Sequence, residues 1–166
     1  MGGTRMNVIG IDYSSRFVDC VKVPYEGTGA PQWHRFPLTG NDAFDRARSV
    51  ADAMPGRAST FYEDTICVGI EHPAGHHGTG PLLRVQGAIL ARIPARMLVH
   101  PLPPGKWRAL VGLPGNASKT EVQVAGREML YDLGWTEFRM PLVPDFYDAY
   151  CIALATRSLI EQQAAA

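Results

Sequence analysis

The chain has 166 residues, is 46% hydrophobic and 19% charged, and sets 16 Lys and Arg against 16 Asp and Glu. That composition excludes a disordered or fibrous chain and predicts one domain with a sizeable core, while a formal net charge of zero excludes a uniformly basic coat for polyanions. No apolar run approaches the ~20 residues of a membrane span, so no membrane partner is expected, and the opening MGGTRM lacks the pattern of a secretory leader. Cys20, Cys67 and Cys151 form no C-x-x-C and are odd in number, which predicts reduced thiols in a cytoplasmic protein.

Taken in chain order, residues 1–6 are expected to be a disordered extension, 7–163 a single domain and 164–166 a tail. NVIGID (7–12) reads as a buried strand and FVDCVKV (17–23) as a half-exposed one; QWHRF (32–36) reads as a third. Residues 41–54 carry Phe44, Ala47, Val50, Ala51 and Met54 at helical spacing behind an Asn41 cap. ICVGIE (66–71) is a fourth strand. A helix over 81–93 leads to a strand over 95–100, and a short helix is expected near 106–111. A longer helix over 118–134 starts at a Ser118 cap and stops at Gly134, and a last one runs from about Asp145 to Gln163. Three early strands followed by alternating helices and strands predict a three-layer α/β or α+β domain.

Charge is unevenly spread. Residues 81–120 hold no Asp or Glu but carry Arg84, Arg92, Arg96, Lys106, Arg108 and Lys119. Such a block either presents a local positive face, the footprint of phosphate binding, or is a set of scattered solvated charges.

Asp12 and Glu71 each close a buried strand, and each has a glycine two residues earlier on the same face (Gly10, Gly69). A strand glycine often marks close approach by a ligand or another backbone. Asp145 and Asp148 open the last helix, where Asp-x-x-Asp is also a variant of the capping box. Should all four acids converge, like charges about 4 Å apart would repel by ~4 kcal/mol per pair at an effective dielectric near 20. A proton or a hard cation such as Mg²⁺ must then neutralise them. Two such ions ~4 Å apart can activate a water and stabilise the leaving oxygen of a phosphodiester.

The order of Asp12, Glu71 and a D-x-x-D-A at the final helix resembles the RNase H-like nuclease superfamily, and within it the RuvC-type Holliday junction resolvases of bacteria and phages. DFYDAYCIALA (145–155) resembles that family's D-x-x-D-A-L-A-I-A signature, and VGLPGNASKTEVQ (111–123) its V-G-x-G-x-A-x-K-x-x-V-Q segment. RVQGAIL (84–90) resembles its G-x-x-x-G helix without the first glycine. The likeness runs from Val8 to Ala155. It implies an α/β, RNase H-like fold: a mixed central sheet of about five strands, the first three antiparallel, flanked by helices on both faces. It implies metal ligation by Asp12, Glu71, Asp145 and Asp148, with Lys119 at the phosphate near the cut. Arg108, Lys106, Arg84, His76 and His77 are further candidate DNA contacts.

The implied activity is Mg²⁺-dependent hydrolysis of branched DNA by two ions per site, with Mn²⁺ as substitute. Four-way junctions, and possible flaps and forks, are the implied substrates, and a homodimer is implied by symmetric cleavage. Two features depart from the family: HPAGHHGTGP after Glu71 lacks an aromatic, and GLPGN places a proline where small residues are usual. His72, His76 and His77 are read as a loop touching DNA or solvent, or as metal ligands or a proton shuttle. Two other readings stand beside the resolvase. One is a YqgF-like or ribonuclease H-like nuclease acting on RNA or an RNA–DNA hybrid; the other is a non-catalytic DNA-binding module on the same fold.

Overall fold

The structure, a computed structural model, describes residues 6–73, 79–136 and 139–166. β1 (Asn7–Tyr13), β2 (Phe17–Pro24) and β3 (Gln32–Pro37) form an antiparallel meander. β4 (Thr65–Glu71) adds parallel to β1, and β5 (Leu98–Leu102) parallel to β4, giving one sheet of order β3-β2-β1-β4-β5. Parallel neighbours need crossovers. The first carries α1 (Ala43–Ala53) and a 3₁₀ turn at Thr60–Tyr62, the second α2 (Thr79–Leu90); α3 (Pro104–Leu110), α4 (Lys119–Asp132) and α5 (Pro144–Ala164) follow.

Strand alternation sends Ile9, Ile11, Val68 and Ile70 to one face, where Val50 of α1 and Val85 and Ile89 of α2 cover them. Val8, Val21 and Cys67 point the other way into a core built on α5, with Trp107 of α3 and Val122 and Leu130 of α4 behind it. Helices therefore cover both faces of the mixed sheet, as expected.

The two strand glycines are explained by the close approach of α5, its backbone at Gly10 and its side chains at Gly69. A Cβ on Gly10 would lie 2.1 Å from the Ala149 carbonyl oxygen and 2.3 Å from the Ala153 nitrogen; one on Gly69 would lie 1.8 Å from Thr156 Oγ1. Their absence lets α5 sit almost on the sheet and carries its first turn to the ends of β1 and β4.

Several expectations shift. β2 is not half-exposed: it lies between β1 and β3, and Val18–Val23 are all buried, Asp19 and Lys22 among them. Helix α1 is capped by Asp42 and not Asn41, the Asp42 carboxylate accepting from the Phe44 and Asp45 amides. Helix α2 ends at Leu90, and its chain tightens through Arg92 N–Ile89 O (2.8 Å) and Ile93 N–Leu90 O (3.2 Å) before Pro94. A turn closed by Met97 N on Pro94 O (3.0 Å) delays β5 to Leu98. Helix α4 follows the prediction closely, with Ser118 and Glu121 forming a full capping box. At the N-terminus, residues 1–5 of the expected extension lie outside the described residues, and the Met6 carbonyl accepts from the Tyr25 amide (2.8 Å). Helix α5 continues through Ala164 into the expected tail. Among the described residues no helix is long and apolar enough to cross a membrane. All three cysteines are buried and free.

Candidate metal centre

The β1–β4 register pairs Gly10 with Gly69, so Asp12 and Glu71, each two residues on, leave the same face of adjacent strands. The first turn of α5 crosses above them. Asp12, Asp145 and Asp148 each offer a carboxylate oxygen, all lying within 4.8 Å of one another. The capping-box reading of the two α5 acids fails: the N-cap is Val143, it makes no side-chain cap bond, and Pro144 occupies the first turn. Residues i and i+3 share a helix face, and here that face turns toward the strand acids.

Glu71 stands at the rim of this triad. Its Oε2 accepts from the indole Nε1 of Trp107 at 2.9 Å, and its main-chain carbonyl accepts from Gln86 Nε2 at 2.9 Å. Its charge still reaches the others. Burial first, then Glu71 and Asp148, push the Asp12 carboxyl well above the ordinary carboxylate range. Burial likewise raises Asp148 to about 6, against the lowering pull of Lys119, and raises Glu71 despite the Trp107 hydrogen bond. Each group resists carrying its full charge alone.

Lys119, the first residue of α4, inserts its ammonium among the acids. Nζ donates to Asp145 Oδ1 and lies 3.3 Å from Asp148 Oδ2. Partial burial opposes its charge, but the Asp145 hydrogen bond and the nearby Asp148 outweigh that and raise its pKa. The second cation on Asp145 is Arg35 of β3, whose Nη2 donates to Oδ2 at 2.9 Å.

Three converging carboxylates, two of them with raised pKa values, form a hard-oxygen donor set that suits a divalent cation, and Glu71 is not one of the three. Such an ion would relieve the repulsion that protons and Lys119 otherwise absorb.

The six basic residues of 81–120 do not form one face. Arg108 sits by the acids: its charge lowers Glu71, its guanidinium lies 5.1 Å from the Trp107 ring centroid, and Nη1 donates to Gly115 O at 3.2 Å. Lys106 is exposed on α3, where its charge reaches His100. Arg84 is on the opposite side of the sheet, in a groove with Phe44, Ala47, Arg48 and Ala88, and Arg92 donates to Met54 O at 3.1 Å. His76 and His77 lie outside the described residues.

Sequence reasoning missed two residues here, Arg35 and Trp107. A hint existed in Asp19, an acid inside the apolar run of β2, since a buried carboxylate needs a partner. The β2–β3 register supplies it by placing Arg35 opposite Asp19.

Sheet order, crossovers and helix layers define an RNase H-like α/β fold. Among solved structures the chain is similar to Thermus thermophilus RuvC, at 22% identity over 95% of this chain and 97% of that one, TM-score 0.66. It is also similar to RuvC of the same organism in complex with a Holliday junction substrate, at 18% identity over 95% and 96%, TM-score 0.59. Neither a family model nor a curated protein matches the chain.

Proposed function

We propose that the protein is a RuvC-like, metal-dependent endodeoxyribonuclease that hydrolyses phosphodiesters in branched DNA, four-way junctions above all. The observation that carries this reading is the meeting of Asp12, Asp145 and Asp148 on an RNase H-like frame, with Lys119 inserted among them. Asp12, Asp145 and Asp148 would hold the ions, with Glu71 at the rim; Mg²⁺ is the expected metal, two ions per site, and Mn²⁺ its substitute. Bound there, the metal supplies an activated water and neutralises charge at the leaving oxygen.

The chain's own residues do the rest. Asp12 and Asp148, buried and raised in pKa, accept a cation more readily than a second bare charge. The Lys119 side chain is 55% exposed, and once a cation takes its place among the acids its ammonium would turn to a scissile phosphate, where a compact point charge stabilises the phosphorane. Arg108, held over Trp107 beside Glu71, is the next cation along that surface. Paired cuts across a four-way junction require two such sites, which a two-fold homodimer acting in the cytoplasm would supply.

Gel assays on synthetic four-way junctions, flaps, forks, duplex and RNA–DNA hybrid, each with Mg²⁺ or with chelator, test the reading. Metal-dependent nicking of junctions ahead of all others is expected. Preference for the hybrid would replace it with the ribonuclease H-like reading, and binding without cleavage would point to the non-catalytic module.

A further inference from the structure

The geometry points to Arg35 as a positioning residue that fixes which oxygen of Asp145 is open to a cation, an assignment that rests on the metal-dependent reading above. Asp19 is 2% exposed in the side chain, yet fully satisfied: Trp33 Nε1 donates to Oδ1 at 2.9 Å, and Arg35 Nε and Nη2 donate to Oδ1 and Oδ2, both at 2.8 Å. The same Nη2 reaches on to Asp145 Oδ2 at 2.9 Å. The guanidinium carbon also lies 4.4 Å from the Phe17 ring centroid. One planar fork thus ties a buried carboxylate of β2 to the first turn of α5, and Arg35 itself lies 110 residues from Asp145 in sequence.

The two cations on Asp145 are not equivalent. Arg35 cannot leave without stranding Asp19 as a buried, unpaired charge. Lys119 is over half exposed and has no comparable anchor. Oδ2 therefore stays bound to Arg35, and Oδ1 is the oxygen that opens when Lys119 turns away. Because Asp19 cancels the Arg35 charge, an approaching ion meets an acid oriented by a neutral pair, so the contribution of Arg35 is orientation and not repulsion. A sequence search for acids finds Asp145 but not this clamp, whose members lie on two other strands.

Calorimetric titration of Mn²⁺ into the DNA-free protein tests the assignment, with circular dichroism melting as the control for folding. The double variant Asp19→Asn/Arg35→Gln keeps the pair neutral and similar in shape. It is expected to melt within a few degrees of the parent and to bind Mn²⁺ about tenfold more weakly, the lower end of what losing an outer-shell partner costs. Arg35→Lys keeps the charge opposite Asp19 but not the fork, and is expected to give a similar loss should the double variant fail to fold. In an Asp145→Asn background the same changes should have no further effect, since the clamp acts through Asp145 alone. Unchanged or tighter Mn²⁺ binding, or an equal loss in the Asp145→Asn background, would overturn the assignment. Asp148→Asn separates the two ideas: if the parent's Mn²⁺ binding is insensitive to it, the metal reading falls and the clamp with it. If Asp148→Asn weakens binding and the double variant matches the parent, only the role of Arg35 falls.

Discussion

The two faces of the sheet are built for different ends. On the α1–α2 side, Ile9, Ile11, Val68, Ile70, Val85 and Ile89 meet as an apolar layer, at whose edge the one buried cation among the described residues, Lys22, donates to the Phe61 carbonyl. On the α5 side, the strands give up side chains at Gly10 and Gly69, and the helix they admit carries Asp148 into a nearly closed space beside Asp12. One face supplies stability; the other holds like charges together at a cost in stability. The lesson is that the strand glycines and the acids two residues beyond them form one device, because close helix approach is what brings Asp145 and Asp148 within reach.

That contrast can be broken most sharply by removing charge on the α5 side. Asp12→Asn or Asp148→Asn should slow Mg²⁺-dependent nicking of a four-way junction by about a thousandfold or more, measured by single-turnover cleavage. Ile89→Ala on the other side should leave that rate within a few fold at a temperature where the variant is folded.

Stability, unlike cleavage, should be vulnerable on both faces. Gly10→Ala places a methyl group 2.1 Å from the Ala149 carbonyl, a backbone atom that cannot swing aside, and should destabilise by more than about 4 kcal/mol in urea melts, or prevent folding. Ile89→Ala should cost about 3 kcal/mol through the cavity it leaves, with Mn²⁺ affinity unchanged.

The smallest expected effect is one of pH. Asp148 in the fold has a pKa of about 6 against an ordinary 3.8, so between these values the folded state binds more protons than the unfolded. Stability of the metal-free protein should therefore rise as pH falls from 7.5 to 5.5, by about 1 kcal/mol or ~3 °C in Tm. Asp12, also raised, adds in the same direction. The gain should shrink in Asp148→Asn, and at pH 7.5 saturating Mg²⁺ should stabilise the parent but not that variant.

How far the sequence exposed all this depends on the range of the interaction. Asp12, Glu71, Asp145 and Asp148 were legible because each sits at a recognisable strand end or helix start, and the strand glycines gave the common face. The purpose of those glycines was open between ligand and backbone, and only packing decides it. Burial of β2 was not legible, since Asp19 and Lys22 within the strand imitate solvated positions although they point to opposite faces; in the fold Asp19 is matched by Arg35 and Trp33, and Lys22 donates to the Phe61 carbonyl. The Asp19–Arg35–Asp145 link depends on strand register and helix placement together. The basic block misled for a related reason: a run of cations in sequence spans α2, α3 and α4, and α2 lies across the sheet from the other two.

The most direct test is a diffraction experiment on crystals grown with Mn²⁺, using its anomalous signal. The account predicts a peak in contact with carboxylate oxygens of Asp12, Asp145 and Asp148, with Lys119 turned away from Asp145. An absence of signal there, with the Lys119 ammonium still lodged among the three acids at saturating Mn²⁺, would contradict it.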